Sequence, residues 1–591
     1  MAAVAMRCVR AALPVLTGLL LAAGPARAQT GKITGVVTDQ QTGQPLAGVQ
    51  VFLEGTGRGA LTGENGRYFI VNIPPGTYTV VAQLIGYATV RRENVVVSID
   101  VTRTVDFALP SQAVAVQGVV VQIERVPLIE TKATGSVNTI TSAELEALPV
   151  TTIEGALSLQ QGFLQVPDNT NVLYAAERRR NPESPLRIRG GRPGETLTLI
   201  DGIPINNFVF GGPAFSLTPQ AVQQVDLIKG GFEPQYGNAL SGILNIVTKE
   251  GGRDFQGGLE YQTTQLAGAL GSRPDELRDQ SLVEGFLSGP VPGTGQRLRF
   301  LFAGRQQHGA ESVYEFDDDV YRPGFDYTAA GIQNRPSFYD VFPGWRAFGF
   351  DQERQALAKL TFELNPGAKL NLSVLDYQRE YQPFDFDFLL TGFDLLRTPV
   401  VRTRADSVLY SGSRYPDVVQ GAVQVDRRLA VASFNQTLAR TAFRVAAGVF
   451  DQSRRTCNFY EGFCLRDHFA DLNFNQHFVA PGVESNNPTA GTDHWFGGER
   501  LRTAVARADL QSQITDHHNL QAGIYYEAHD LEYEEFQAIE SDQPIKVVER
   551  FRARPGDLWN AAAYVQDKIE YDFLTVALGF RFDIGEAGGL F

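Results

Sequence analysis

From residue 255 onward, apolar and polar side chains alternate in segments mostly about ten to thirteen residues long, and the connections between them alternate between short and long. The segments fall at 255–265, 281–289, 297–309, 353–364, 368–380, 427–438, 441–453, 502–514, 519–531, 557–571 and 574–583. Every second connection is short, with VPGTGQR, NPGA, LART, TDHH and YDF at or within it. The others, at 266–280, 310–352, 381–426, 454–501 and 532–556, are long. Period-two alternation puts one set of side chains on each face of a strand. After Ala28 the chain has no run of 18 or more apolar residues, so it has no spanning helix. A chain that crosses lipid without helices must close its strands into a barrel, because an open edge leaves backbone groups unsatisfied there. Short turns on one side and long loops on the other fit an antiparallel barrel inserted from the periplasm. The expected fold class is mainly β.

The expected barrel segment is 253–591, with about 11 strands. Eleven is odd, whereas bacterial single-chain barrels have even counts. The chain also ends in EAGGLF directly after the strand VALGFRFDI. The expectation is a partial barrel, truncated near its middle. The other reading is a smaller complete barrel with miscounted strands, in which the preceding domain of roughly 120 residues would hardly fit.

Residues 1–28 read as a secretory leader. Arg7 and Arg10 give a positive start, Ala11–Ala23 an apolar core, and Ala26-Arg27-Ala28 a cleavage site that leaves Gln29 first. The full chain carries a formal charge of −14, and losing Arg7, Arg10 and Arg27 with the leader makes it about −17. Such an acidic balance excludes non-specific nucleic-acid binding.

Residues 29–110 contain the short alternating strands GKITGVVTD, GVQVFLEGT, GRYFIVNI, GTYTVVAQLIGY and TRTVDFALP, split by Gly and Pro. This is the pattern of a small antiparallel β-sandwich. Residues 111–128 follow as a linker containing the β-prone run Val119-Val120-Val121. Residues 129–252 read as an α+β domain. There Thr141-x-x-Glu144 and Thr151-x-x-Glu154 are capping-box patterns that start two short helices, Ser142–Leu148 and Thr152–Gln160. Asp201-Gly202 between apolar runs predicts a tight hairpin, since both turn positions need positive φ. Gly190, Gly191 and Gly194 with Pro193 mark a second turn, and Thr218-Pro219 opens a short helix with Thr as N-cap.

Three ordered stretches, RIRGGRPGETLTLIDGIPI, VDLIKGGFEPQYG and SGILNIVTKEGG, resemble the plug domain of TonB-dependent outer-membrane receptors. The motif residues are Arg187, Arg189, Gly190, Gly191, Asp201, Gly202, Lys229, Gly230, Tyr236, Gly237, Gly242 and Asn245. In the sandwich, ITGVVTD, GQPLAGVQV, GENGRYFI and IPPGTYTV resemble the carboxypeptidase-regulatory-like, transthyretin-type module. The resemblance implies a 22-stranded barrel in the family, a plug that closes it, and a linker that pairs with a TonB-type energy transducer. It places Val119, Val120 and Val121 at the TonB box, where an extended segment adds to a partner's sheet edge. The other reading is that these residues finish a strand of the first module or begin one of the plug. The implied function is proton-gradient-driven import of a siderophore, vitamin, glycan or peptide across the outer membrane, with membrane lipid around the barrel and an unknown extracellular ligand. The rival functions are a receptor that binds or signals without import, and a surface enzyme. Arg187 and Arg189 are expected to pair with acids of the barrel wall.

Cys457 and Cys464, close together in one long loop, read as a disulfide in an oxidising compartment. His468, His477 and His494 follow without metal spacing. Asp317–Asp319, Asp385 and Asp387 read as solvated loop acids, and the run Arg178–Arg180 as a solvated or wall-contacting charge run. The aromatics of 310–352 either line a ligand site or pack loops and interface girdles. No nucleophile–base pair, P-loop or dinucleotide fingerprint is present, so no catalysis, cofactor or metal site is expected.

Overall fold

The computed structural model describes residues 31–111 (except 74–75 and 99–101), 119–123, 136–148, 152–165, 186–191, 195–206 and 217–263. Between 280 and 587 it describes all but 317–339, 343–344, 366, 382–400, 403–407, 410–421, 439, 458, 461–462, 465–493, 539–545, 554–557 and 572–573. The leader, the run Arg178–Arg180, the acids Asp317–Asp319, Asp385 and Asp387, and His468 and His477 lie outside the described residues.

The N-terminal sandwich has two sheets. In one, Gly31–Asp39 pairs antiparallel with Arg67–Ile73 and parallel with Thr102–Thr104 and Phe107–Leu109. In the other the order is Gly59–Leu61, Gln50–Leu53, Gly76–Gln83, Thr89–Val97 and Val119–Ile123. Inward side chains such as Ile33, Val37, Val51, Leu53, Tyr68, Val80 and Phe107 form its own apolar core. The sandwich is therefore mixed rather than purely antiparallel. Its last strand, Val119–Ile123, pairs parallel with Thr89–Val97 in the register Thr89 to Val119 through Glu93 to Ile123.

The middle domain is a five-stranded sheet ordered Val137–Thr141, Val222–Ile228, Gly242–Thr248, Thr196–Ile200, Ile203–Pro204. Its helices are Ser142–Ala147 and Ile153–Ser158. The first is capped by the expected box, with Thr141 and Glu144 each bonded to the other's backbone. The second starts one residue later than the sequence pattern implies. Thr152 is its N-cap and accepts from the Gly155 N–H, so Glu154 sits in the first turn instead of closing a box. At Thr218 the backbone opens a 3-10 turn, Pro219–Ala221, but its side chain does not cap it. That hydroxyl donates instead to Glu284 on a wall strand at 2.9 Å.

The large sheet follows. Its main path has eleven antiparallel strands, Gln256–Thr263, Gln280–Pro290, Leu298–Phe316, Trp345–Asn365, Ala368–Tyr381, Ala422–Leu438, Thr441–Cys457, His494–Gln513, His518–Ala538, Leu558–Glu570 and Thr575–Ala587. Two short strands, Asp340–Phe342 and Lys546–Ala553, pair at its side. Its burial is inside-out. On Trp345–Asn365, Gln355, Leu357, Lys359 and Thr361 are buried, while Leu360, Phe362 and Leu364 are 38–45% exposed. On Ala368–Tyr381, Ser373, Leu375 and Tyr377 are buried while Leu372 and Val374 face out. Soluble proteins do not expose apolar bands of this extent. An apolar outer face with a polar inner face is the arrangement of a transmembrane β-barrel. Among the described residues no helix is long and apolar enough to cross a membrane, which says nothing of crossing by strands.

The middle domain lies against the inner face of this sheet. Ile200, Ile203, Ile205 and Val225 share one apolar cluster with Leu301, Leu375, Phe450 and Leu501 of the wall.

Candidate functional site

The hairpin between Thr196–Ile200 and Ile203–Pro204 turns at Asp201 (φ 47°) and Gly202 (φ 82°). Both central residues are left-handed, as a type I′ turn demands, and Asp and Gly are the residues that tolerate this. The turn is fastened to the wall. The Asp201 carboxylate accepts from Lys359 Nζ at 3.0 Å and from the Thr248 N–H and hydroxyl at 3.0 and 2.7 Å. Arg444 Nη2 donates to the Asp201 carbonyl at 2.6 Å, and Arg507 Nη1 to the Gly202 carbonyl at 3.2 Å. Arg507 is itself clamped by Asp509 through two bonds of 2.9 and 3.0 Å. Beyond the turn, Ile203 reaches the wall strand Thr441–Cys457, where a Cβ at Gly448 would stand 2.9 Å from it.

Other anchors surround this one. The Thr218 N–H donates to Gln355 at 3.0 Å. Glu250 accepts two bonds of 2.7 Å from Lys369 and one of 3.2 Å from Asn371. Burial acts to raise the Glu250 carboxyl, but Lys369, Lys359 and Arg299 outweigh it and hold the group at about 2. On the far strand, Arg581 Nη1 donates to the carbonyls of Pro234 and Gln235 at 3.2 and 3.1 Å. Gly237 lets the guanidinium approach closely there, since a Cβ would stand 2.6 Å from Arg581 Nη2 and shift it.

The motif residues take the following places. Arg187 lies in the strand Leu186–Ile188, paired with Phe163–Gln165, and its side chain is outside the described set. Arg189 (φ 51°) and Gly190 (φ 75°) form the turn before Gly191. Arg189 is exposed and makes no ion pair with a wall acid among the described residues. Lys229 donates to the Gln161 carbonyl, and burial, then the nearby Arg189, pulls its ammonium below the usual range. The Gly230 carbonyl accepts from the Ser136 N–H. Tyr236 packs with Leu197, Leu199, Ile228 and Ile243. Gly242 and Asn245 lie on the central strand Gly242–Thr248, and Asn245 is fully buried with neither amide atom bonded among the described residues. The expected wall pairing of Arg187 lies outside the described residues, and that of Arg189 is not seen among them; the described plug–wall ion pairs have the opposite sign. Acids of the middle domain, Asp201 and Glu250, meet wall bases. The signal for those bases was present as Lys359, Lys369, Arg444 and Arg507 at inward positions of wall strands.

The sandwich contacts the wall at its short turns. Lys32 and Thr102 both bond Glu570, and Lys32 also donates to Gln513 at 3.0 Å. Arg58 donates to Thr437 at 3.0 Å, Asn65 to Asp516 at 3.1 Å, and the Arg440 guanidinium lies 5.1 Å above the Phe69 ring. The backbone of Val119–Val121 lies along the edge of the sandwich's second sheet, paired with Thr89–Val97, and among the described residues no strand pairs with its other side. Cys457 ends a wall strand, and Cys464 lies in a small ladder opposite Phe459; their sulfur atoms are outside the described set. Among the described residues no group of three or more metal-ligating side chains converges.

Comparison with known families decides the middle domain: residues 130–243 match the TonB-dependent Receptor Plug Domain. The chain carries a TonB-dependent receptor plug. Ahead of it, residues 32–110 match the carboxypeptidase regulatory-like domain. The chain is 27% identical over 278 residues to the TonB-dependent transporter Oar of Myxococcus xanthus, covering 45% of this chain and 25% of Oar. It is 26% identical over 198 residues to the vitamin B12 transporter BtuB of Vibrio vulnificus (strain YJ016), covering 33% of this chain and 31% of BtuB. The matches thus span only about a quarter to a third of these relatives, both of which are named as transporters. Among solved structures it is similar to the ferric citrate transporter FecA in its unliganded form, with 13% identity, a TM-score of 0.47, and coverage of 76% of this chain and 56% of that one. The fastened Asp201-Gly202 hairpin lies within the matched residues, as does the start of the strand Gly242–Thr248.

Proposed function

We propose that this chain acts in TonB-dependent import of a scarce nutrient across the outer membrane, driven by the proton gradient of the inner membrane. The observation that carries the reading is a plug domain fastened to the inner face of an inside-out strand wall. A plug so placed blocks passive diffusion, so passage needs work done on it from the periplasm. The relatives' names fit cargo of the vitamin class, as for BtuB, or the siderophore class, as for the probable siderophore receptor PirA of Acinetobacter baumannii. Membrane lipid covers the outward Leu360, Phe362, Leu372 and Val374.

In this reading Val119–Val121 is the segment the transducer captures by adding a strand. Among the described residues no strand pairs with the other side of Val119–Ile123, which supports such an addition; in this reading the strand leaves the sandwich edge when pulled. The leader at 1–28 delivers the chain to the periplasm. Uptake of labelled candidate nutrients in cells, with and without a collapsed proton gradient, tests the mechanism. Uptake that survives collapse sinks it. Deleting Gln117–Gln122 is expected to abolish energised uptake while the protein still reaches the membrane and binds ligand.

A further inference from the structure

A cavity of about 250 Å³ lies where the sandwich, the plug and the wall meet. By this measure a single water needs roughly 10–15 Å³, so there is room for a small polyatomic ion with its hydration. Its described lining is unbalanced in charge. Six cationic side chains face three carboxylates, Asp201, Glu250 and Glu363. Arg58 comes from the sandwich, and Arg299, Lys359, Lys369 and Arg444 from wall strands, with Arg253 just before the first of them.

The three carboxylates are already engaged. Asp201 holds Lys359, and Glu250 holds Lys369. Glu363 is shared between Arg253 at 3.7 Å and Arg299 at 3.6 Å, both longer than a good charge-assisted bond. Arg58 and Arg444 have no carboxylate partner among the described residues. Arg58 donates to the Thr437 hydroxyl and the Asn72 carbonyl, and Arg444 to the Asp201 carbonyl. The Nε groups of Arg299 and Arg444 are buried with no acceptor among the described residues, and such orphans are rare in folded proteins. Uncompensated positive charge in a partly enclosed site is costly, and low-dielectric walls focus its field on whatever anion enters.

We infer that this cavity binds a small multivalent oxyanion of the phosphate class, held by Arg58 of the sandwich together with Arg299 and Arg444 of the wall. Guanidinium forks match the tetrahedral oxygens of such an ion better than ammonium groups do. Because the ligands come from separate modules, the bound ion ties the sandwich to the wall beside the plug's own latch at Asp201 and Lys359.

The test uses the chain from Gln29 onward in detergent at low ionic strength, with inorganic phosphate titrated against chloride at matched ionic strength. Thermal unfolding and calorimetric titration are read together. Phosphate raises the melting temperature saturably and chloride does not. The pair Arg58→Gln and Arg299→Gln weakens phosphate binding by about tenfold or more. Glu250→Gln, which removes a carboxylate from the lining, tightens it. Superimposable phosphate and chloride curves overturn the inference, as does a double variant that binds phosphate like the parent. If the double variant does not fold, Glu250→Gln decides, and unchanged or weaker binding there overturns it.

Discussion

The plug and the sandwich both rest on the same wall, through different chemistry. The plug shares a single apolar cluster with it, in which Ile203 and Val225 pack with Leu301, Leu375 and Phe450. Its turn is pinned through Asp201 as well. The sandwich keeps its apolar core to itself, from Ile33 to Leu109. It meets the wall through polar links, Lys32 to Glu570, Arg58 to Thr437 and Asn65 to Asp516. A shared apolar core makes two parts unfold together, because separating them exposes the whole surface at once. Polar docking can be undone with water taking over the lost bonds. The plug and wall should therefore behave as one cooperative unit and the sandwich as a separable one.

The strongest way to break this contrast is Asp201→Ala. It leaves Lys359, 5% exposed, without its carboxylate, and removing one partner of a buried pair costs about 3–5 kcal/mol. Denaturant unfolding of the plug–wall unit should show that loss, and a change below about 1 kcal/mol would mean the turn is not a latch. Next comes Ile203→Ala. Its side chain is fully buried in the shared cluster, so plug and wall should lose about 2–5 kcal/mol together while the sandwich transition stays put. Separate plug and wall transitions in that variant would contradict the single-core picture.

Glu570→Gln addresses the other junction. It removes the carboxylate that Lys32 and Thr102 share. Undocking should raise proteolysis within 111–128 by about tenfold, with the wall's melting unchanged. Equal loss in both modules would show that the sandwich is not separable. The mildest lever is pH. The Glu250 carboxyl is held at about 2, against an ordinary 4.5. The unfolded chain thus binds the proton more readily, and stability rises with pH across that interval. The contribution of Glu250 is complete above about 4.5 and fades as pH falls towards 2. The melting temperature should drop over that window in the parent and drop less in Glu250→Gln; parallel curves would remove Glu250 from the account.

Much of this architecture was legible from one dimension. Each of the eleven alternating segments corresponds to a wall strand, because the two-residue period survives wherever the two faces of a strand meet different surroundings. The strands run further than the alternation does. The segment read at 353–364 extends over Trp345–Asn365, since its ladder with Leu298–Phe316 continues after the apolar pattern ends. The Asp201-Gly202 turn was legible because its backbone needs are local. The helix start at Thr152 slipped by one residue, since adjacent threonines offer the same local cap. The Thr218 side chain left its expected cap for Glu284, a partner 66 positions away.

Sequence alone determined the order of parts, the strand pattern, the turn chemistry and the plug motif, all of which depend on neighbours within a few residues. Tertiary structure decided which charges meet. It paired Asp201 and Glu250 with Lys359 and Lys369, not Arg189 with a wall acid, and it laid Val119–Ile123 along Thr89–Val97. Those outcomes depend on register and docking between segments far apart in the chain, and a local pattern carries no information about which distant strand or side chain will lie opposite.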